Sequence, residues 1–150
     1  MKANRQSLRA LLTAHGIPVT MQRIAILEFV QSDRGHPFAD TVYQNLREKL
    51  PTLSLTTVYS TLRLFCEHGL VRMVPCNDAA GMRFDADLKP HAHFRCEKCG
   101  EIYDMESGDW KKAPPGCRIP EGFHVSECLV MLNGLCAKCT AESQTRQSHA

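Results

Sequence analysis

Apolar residues recur at helical spacing through the first half of the chain. Within residues 7–14, Leu8, Leu11 and Leu12 fall on one face. Thr20 is placed to cap a second helix carrying Ile24, Leu27 and Val30, because its hydroxyl can accept from an orphaned first-turn amide. Gly35 and Pro37 interrupt the pattern before a third helix with Val42, Leu46 and Leu50, which Pro51 stops. Ser54 then caps a fourth, with Leu55, Val58, Leu62 and Phe65 inward and Gly69 just past its end. Beyond it lie two short extended runs, 71–74 and 82–86, separated by turn-forming residues at 77–81. Helices followed by a short hairpin predict a winged helix-turn-helix.

Residues 87–90 look like a hinge, and strand-like pieces follow at 93–95, 101–103 and 125–132. The fold class expected is therefore α+β. A winged-helix domain spans 1–86, a smaller α/β domain spans 91–140, and the polar stretch 141–150 is expected to be unstructured.

Composition changes this picture only a little. A chain of 150 residues suffices for two small domains, and no apolar run approaches a membrane span. A cytoplasmic protein is expected, in which eight cysteines read as metal ligands or free thiols rather than a disulfide framework. The net charge of +2 predicts nothing about nucleic acid by itself. Its distribution, +3 through Asp85 and −1 beyond, permits a DNA-binding first half.

Chemistry enters with Cys96-Glu97-Lys98-Cys99 and Cys136-Ala137-Lys138-Cys139. Two residues between the thiols of each pair let both sulfurs face one ion, and two such knuckles make a tetrahedral structural Zn²⁺ site. Unrelated redox pairs or disulfides are the competing reading. Cys66, Cys76, Cys117 and Cys128 are left over, and each defaults to a buried apolar thiol.

The outward face of the fourth helix carries Thr56, Thr57, Ser60 and Arg63, with Tyr59 at its border. Hydroxyls and a guanidinium suit a major groove, although an ordinary solvated face has the same composition. The hairpin beside it, with Arg72 and Arg83, favours the DNA reading, since a wing can add contacts to the DNA backbone. His36, Asp85, His91, His93 and Asp104 form a second candidate constellation. Three imidazoles and two carboxylates suit Fe²⁺ or Mn²⁺ better than a soft ion. The alternatives are surface groups that never converge, or a metal-dependent hydrolase or oxygenase. No general-base or substrate-pocket motif accompanies the set to support an enzyme.

The ordered pieces Thr20-Met21-Gln22-Arg23, His36-Pro37-Phe38-Ala39-Asp40, Thr57-Val58-Tyr59-Ser60-Thr61-Leu62, Arg83-Phe84-Asp85, His91-Ala92-His93-Phe94-Arg95-Cys96 and Gly134-Leu135-Cys136 carry a resemblance. The chain resembles the ferric uptake regulator family of bacterial metal-dependent repressors from about residue 6 to residue 139. That resemblance implies a winged-helix domain hinged to a dimerisation domain, a homodimer on double-stranded operator DNA, and no enzyme activity. It also implies structural zinc on Cys96, Cys99, Cys136 and Cys139, and regulatory Fe²⁺ or Mn²⁺ on His36, Asp85, His91, His93 and Asp104. DNA contacts are expected from Arg23, Thr56, Thr57, Tyr59, Ser60 and Arg63.

Aspartate rather than glutamate at 85 and 104 resembles the family's peroxide-sensing branch. There, peroxide is the small molecule sensed, and metal-catalysed oxidation of His36 or His91 would release DNA. An iron- or zinc-responsive uptake repressor without histidine oxidation is the alternative. Pro90, Ala92 and Cys128 stand where relatives often have another metal site, which implies one regulatory ion per subunit. Pro18 replaces a commonly basic residue, and prolines at 114, 115 and 120 interrupt a segment that is usually partly helical.

Overall fold

A computed structural model describes residues 4–74, 81–105, 117–126 and 128–147. Cys76, most of the expected hairpin turn and the Pro114-Pro115 stretch lie outside the described residues. The chain divides into two compact units, Met1–Leu88 and Lys89–Ala150.

The first unit contains α1 (Arg5–Ala14), α2 (Met21–Ser32), α3 (Ala39–Leu46), α4 (Leu55–Glu67), β1 (Arg72–Val74) and β2 (Arg83–Asp85). Three helices start on the side-chain caps their sequences offer. Asn4, Thr20 and Ser54 accept from the amides of Gln6, Arg23 and Thr57 at 3.2, 3.2 and 3.0 Å. Phe38 starts α3 with no side-chain cap, so that helix relies on packing.

Helices α1 and α4 end alike. Gly16 (φ 69°) and Gly69 (φ 66°) take the left-handed turn that other residues resist. The next amides, of Ile17 and Leu70, then return to Leu12 O at 2.9 Å and Phe65 O at 2.8 Å. Each of these ties buries an apolar pair, and all four residues belong to one core. Ile24, Leu27, Val30, Val42, Val58 and Leu62 fill its centre. Beside these turns the caps His15 and His68 cross-link α1 and α4, each ring Nδ1 bonding the other's backbone oxygen at 2.9 and 2.7 Å.

Strands β1 and β2 pair antiparallel, Met73 opposite Phe84, and Phe84 is buried in the helical core. The unit is a winged helix-turn-helix. One detail differs from expectation. Helix α3 stops at Leu46, and the chain passes through a turn over 47–49 instead of continuing as helix to Leu50. Leu50 still packs on the core through a terminal turn, Leu50 N to Leu46 O at 2.9 Å.

The second unit holds β3 (Ala92–Cys96), β4 (Ile102–Met105), β5 (Met131–Gly134) and α5 (Ala137–Gln147), with the sheet ordered β4-β3-β5. Strand β4 is antiparallel to β3 and β5 is parallel to it. The strand expected over 125–132 forms later, at Met131–Gly134, because register with β3 decides its position. Cys96 opposite Gly134, with Glu97 N on Gly134 O at 2.7 Å, delivers Cys136 beside the first knuckle. A side chain at Gly134 would crowd Phe94, whose ring lies 3.4 Å from where a Cβ would be.

The stretch expected to be unstructured from 141 is helical as far as Gln147. Composition misses the anchoring: Lys98 bonds Glu142 at 3.0 Å, and the Ser143 hydroxyl donates to Cys139 O at 2.8 Å. Among the described residues, no helix is long and apolar enough to cross a membrane.

Candidate metal centres and DNA-facing helix

The four knuckle cysteines converge. Each offers a sulfur, and the four sulfurs all lie within 4.8 Å of one another. Cys99 Sγ and Cys136 Sγ are 3.9 Å apart, against about 3.8 Å for neighbouring thiolates around a tetrahedral Zn²⁺ with bonds near 2.3 Å. The end of β3 and the tight turn after it supply Cys96 and Cys99. The segment from β5 into α5 supplies Cys136 and Cys139. Donor type, number and spacing fit structural zinc.

Local hydrogen bonds pre-set the charge of this cage. The Cys136 amide donates to Cys96 Sγ at 3.3 Å and, as the largest influence, draws that thiol down to about 6. Cys136 is lowered too, first by the backbone of Cys139. Burial pushes Cys139 up to about 12. The Glu101 backbone lowers Cys99, but desolvation and the neighbouring Cys96 thiol outweigh it and leave Cys99 raised. Near pH 7 the metal-free cage therefore still carries protons on Cys99 and Cys139. Zinc takes thiolates only, so uptake should release at least those two protons, and affinity should rise with pH. Calorimetric titration in buffers of different ionisation enthalpy measures this; buffer-independent heats would contradict it.

A second donor group lies on the same sheet. His93 lies on β3 with His91 just ahead of the strand, and register sets Asp104 opposite His93. His91 Nε2 is 3.0 Å from His93 Nε2 and 3.4 Å from Asp104 Oδ1; His93 Nε2 is 3.9 Å from that oxygen. Around one ion, donors with bonds of about 2.1 Å stand roughly 3.0–3.5 Å apart. The His91 Nδ1 bonds Lys89 O at 2.8 Å, which leaves Nε2 to face the cluster. Both histidines are buried.

The first unit holds the other two expected ligands. His36 and Asp85 are 2% and 6% exposed, with His36 Nε2 3.9 Å from Asp85 Oδ1. Burying a carboxylate among apolar neighbours is costly unless a cation or a donor faces it. Arg72 Nε lies 3.9 Å from the other Asp85 oxygen, and the Asp87 amide donates to Asp85 Oδ1 at 2.7 Å.

On α4, Thr56, Tyr59, Ser60 and Arg63 are exposed, while Val58, Leu62 and Phe65 face the core as expected. Thr57 differs: it is half-buried, and its hydroxyl bonds Ser54 at 2.8 Å, because it closes the helix cap. Arg23 is half-buried and donates to Pro18 O at 2.6 Å. Sequence reasoning missed Thr61, which is buried, and Asp40, whose carboxylate accepts from the Tyr59 hydroxyl at 3.1 Å. It also placed Arg72 and Arg83 on the DNA side of the wing. Both turn inward instead, Arg72 onto Leu88 O at 2.6 Å and Arg83 onto Gly35 O at 3.1 Å.

Of the leftover cysteines, Cys66 is half-buried with its thiol pushed up to about 11 by burial and by Glu67, and Cys128 is half-buried. Cys117 is exposed rather than buried, in a stretch 117–126 that has no helix or strand to cover it.

The family model described as "Ferric uptake regulator family" matches residues 14–133. The chain belongs to the ferric uptake regulator family. Among its relatives, the peroxide operon regulator of Bacillus subtilis is 38% identical over 125 residues, 83% of this chain and 86% of the relative. The peroxide-responsive repressor PerR of Staphylococcus epidermidis is 34% identical over 133 residues, 89% and 88% of the two chains. Solved structures are similar as well. The Pseudomonas aeruginosa ferric uptake regulator with manganese has TM-score 0.67 and 27% identity, covering 85% of this chain and 96% of its own. The Campylobacter jejuni peroxide stress regulator has TM-score 0.63 and 26% identity, covering 89% and 97%. Regulators of this family are transcription factors, and the tetrathiolate and the winged helix place this chain's chemistry in metal binding and gene control.

Proposed function

We propose that this chain is a metal-dependent transcriptional repressor that binds operator DNA as a homodimer and lets go when peroxide oxidises a histidine ligand of its regulatory ion. The observation that carries the reading is the pair of preformed donor groups: His36 with Asp85 in the first unit, and His91, His93 and Asp104 in the second. Together they would hold one Fe²⁺ or Mn²⁺, for which imidazole and carboxylate donors are suited, while the tetrathiolate holds zinc. The names of the Bacillus and Staphylococcus relatives support the peroxide branch, as does aspartate at both 85 and 104.

In this reading Thr56, Tyr59, Ser60 and Arg63 enter the major groove, with Thr57 and Arg23 at its flank. The exposed Phe123, Leu132 and Leu135 of the second unit suit a second copy of the chain. Binding one ion with ligands from both units favours one arrangement of the two, so metal and operator each raise affinity for the other. Bound Fe²⁺ would supply the redox centre through which electrons pass from a ligand to peroxide, with no net change in its own oxidation state. The chain supplies the ring that is consumed: His36 or His91 gains one oxygen at Cε1, giving up two electrons to peroxide as one water forms. The oxidised ring is a poor donor, and the arrangement that seats α4 on the operator loses its support.

Peptide mass spectrometry and operator binding on iron- and manganese-loaded protein, before and after peroxide, test this. The expected result is a +16 Da change at His36 or His91 and DNA release for the iron form alone. Equal persistence of both forms on DNA, with unmodified histidines, would make the chain an uptake-type repressor that responds to the metal only.

A further inference from the structure

His36 is the one non-glycine residue among those described with a positive φ, 55°. A left-handed backbone at a side-chain-bearing residue persists only where its surroundings hold it. Those surroundings are specific. Asp33 Oδ1 accepts from the Gly35 amide at 2.8 Å before the turn. After it, the Phe84 amide donates to Pro37 O at 3.1 Å, and Phe38 forms a bridge with Arg83, so strand β2 is stitched directly to the turn.

Arg83 spans the whole turn. Its Nη1 lies 3.1 Å from Gly35 O and 3.4 Å from His36 O, and its guanidinium carbon sits 4.2 Å over the Phe38 ring. A guanidinium alone can donate in its plane while stacking through its flat face; a lysine offers a point charge without that plane. Two residues along the same strand is Asp85, whose carboxylate lies 3.9 Å from His36 Nε2. One strand thus carries both a candidate ligand and the clamp on its partner ligand.

We propose that Arg83 is a positioning residue of the regulatory centre. It fastens the His36 turn to the wing, presents His36 and Asp85 as a pre-set pair, and makes the wing move with the metal ligand. The proposal rests on the reading above that His36 and Asp85 bind the ion. It also explains why an arginine of the wing faces inward: its task is the sensor, and phosphates are left to other groups.

The test uses full-length, zinc-loaded protein carrying Arg83→Gln, Arg83→Lys or Phe38→Leu, titrated with Mn²⁺ and with Co²⁺. Outer-shell partners of metal ligands typically contribute about 10–100-fold in affinity. Arg83→Gln should therefore weaken Mn²⁺ binding by about that factor and shift the Co²⁺ ligand-field bands. Arg83→Lys should recover part of both. Phe38→Leu should change both in the same direction by less, and it decides the matter if Arg83→Gln does not fold. The Mn²⁺-induced gain in operator affinity should shrink in parallel, with zinc content unchanged. Wild-type Mn²⁺ affinity and Co²⁺ bands in Arg83→Gln would overturn the proposal, as would a loss that Arg83→Lys leaves undiminished. His36→Ala and Asp85→Ala distinguish the two levels. If they abolish Mn²⁺ binding while Arg83→Gln spares it, the clamp alone is wrong. If they too spare it, the ligand assignment falls and the clamp with it.

Discussion

Replacing Cys96 with serine should strip the zinc and melt the second unit while the winged helix stays folded. The buried residues of that unit include Cys96, Cys136 and Cys139, packed with Phe94, so the metal cage is its main core cluster. A core this small cannot offset the conformational entropy of some sixty residues. Structural zinc contributes about 10–16 kcal/mol of apparent binding energy in small peptides, comparable to the 5–15 kcal/mol of a whole domain. Amide exchange gives the readout. In the variant, Ala92–Cys96 and Met131–Gly134 should lose protection together, with Leu55–Glu67 protected as before. A zinc-free variant whose strands stay protected would show that the sheet holds itself.

Phe65→Ala should do the reverse. Phe65 has no solvent exposure, lies on the inner face of α4, and its carbonyl holds the Leu70 amide that closes the helix end. Truncating a buried phenylalanine costs about 3–5 kcal/mol through lost transfer energy and the cavity left behind. That is a large share of the stability of a small helical unit, so operator affinity should collapse at physiological temperature. Zinc stoichiometry should remain that of the wild type. Retained operator binding, with the unfolding free energy lowered by less than about 1 kcal/mol, would mean the core around α4 relaxes into the gap.

Much of this was legible in the sequence for physical reasons. Thr20, Ser54 and Gly69 announce helix ends because each answers a local need of the chain, and their partners lie within a few residues. The Cys-x-x-Cys spacing is local in the same sense. What stayed hidden depends on distant partners. Strand β5 begins at Met131 rather than 125 because its place is fixed by β3, and α5 extends past 140 because Lys98 reaches Glu142. Arg72 and Arg83 look like DNA contacts in the sequence; only the fold reveals the carbonyls waiting inside. The pairing of His36 with Asp85 joins a loop and a strand that α3 and α4 separate along the chain, and no spacing rule connects them. The family resemblance, not periodicity, pointed to those residues.

The order of the two buried donors along the chain bears on how the protein is made. Synthesis delivers His36 first, and Asp85 follows only after α3, α4 and β1 have left the ribosome. A nascent chain therefore cannot bring these two side chains together before α4 exists. The contact between the two is thus a mark of a finished first unit, present only once β2 has paired with β1.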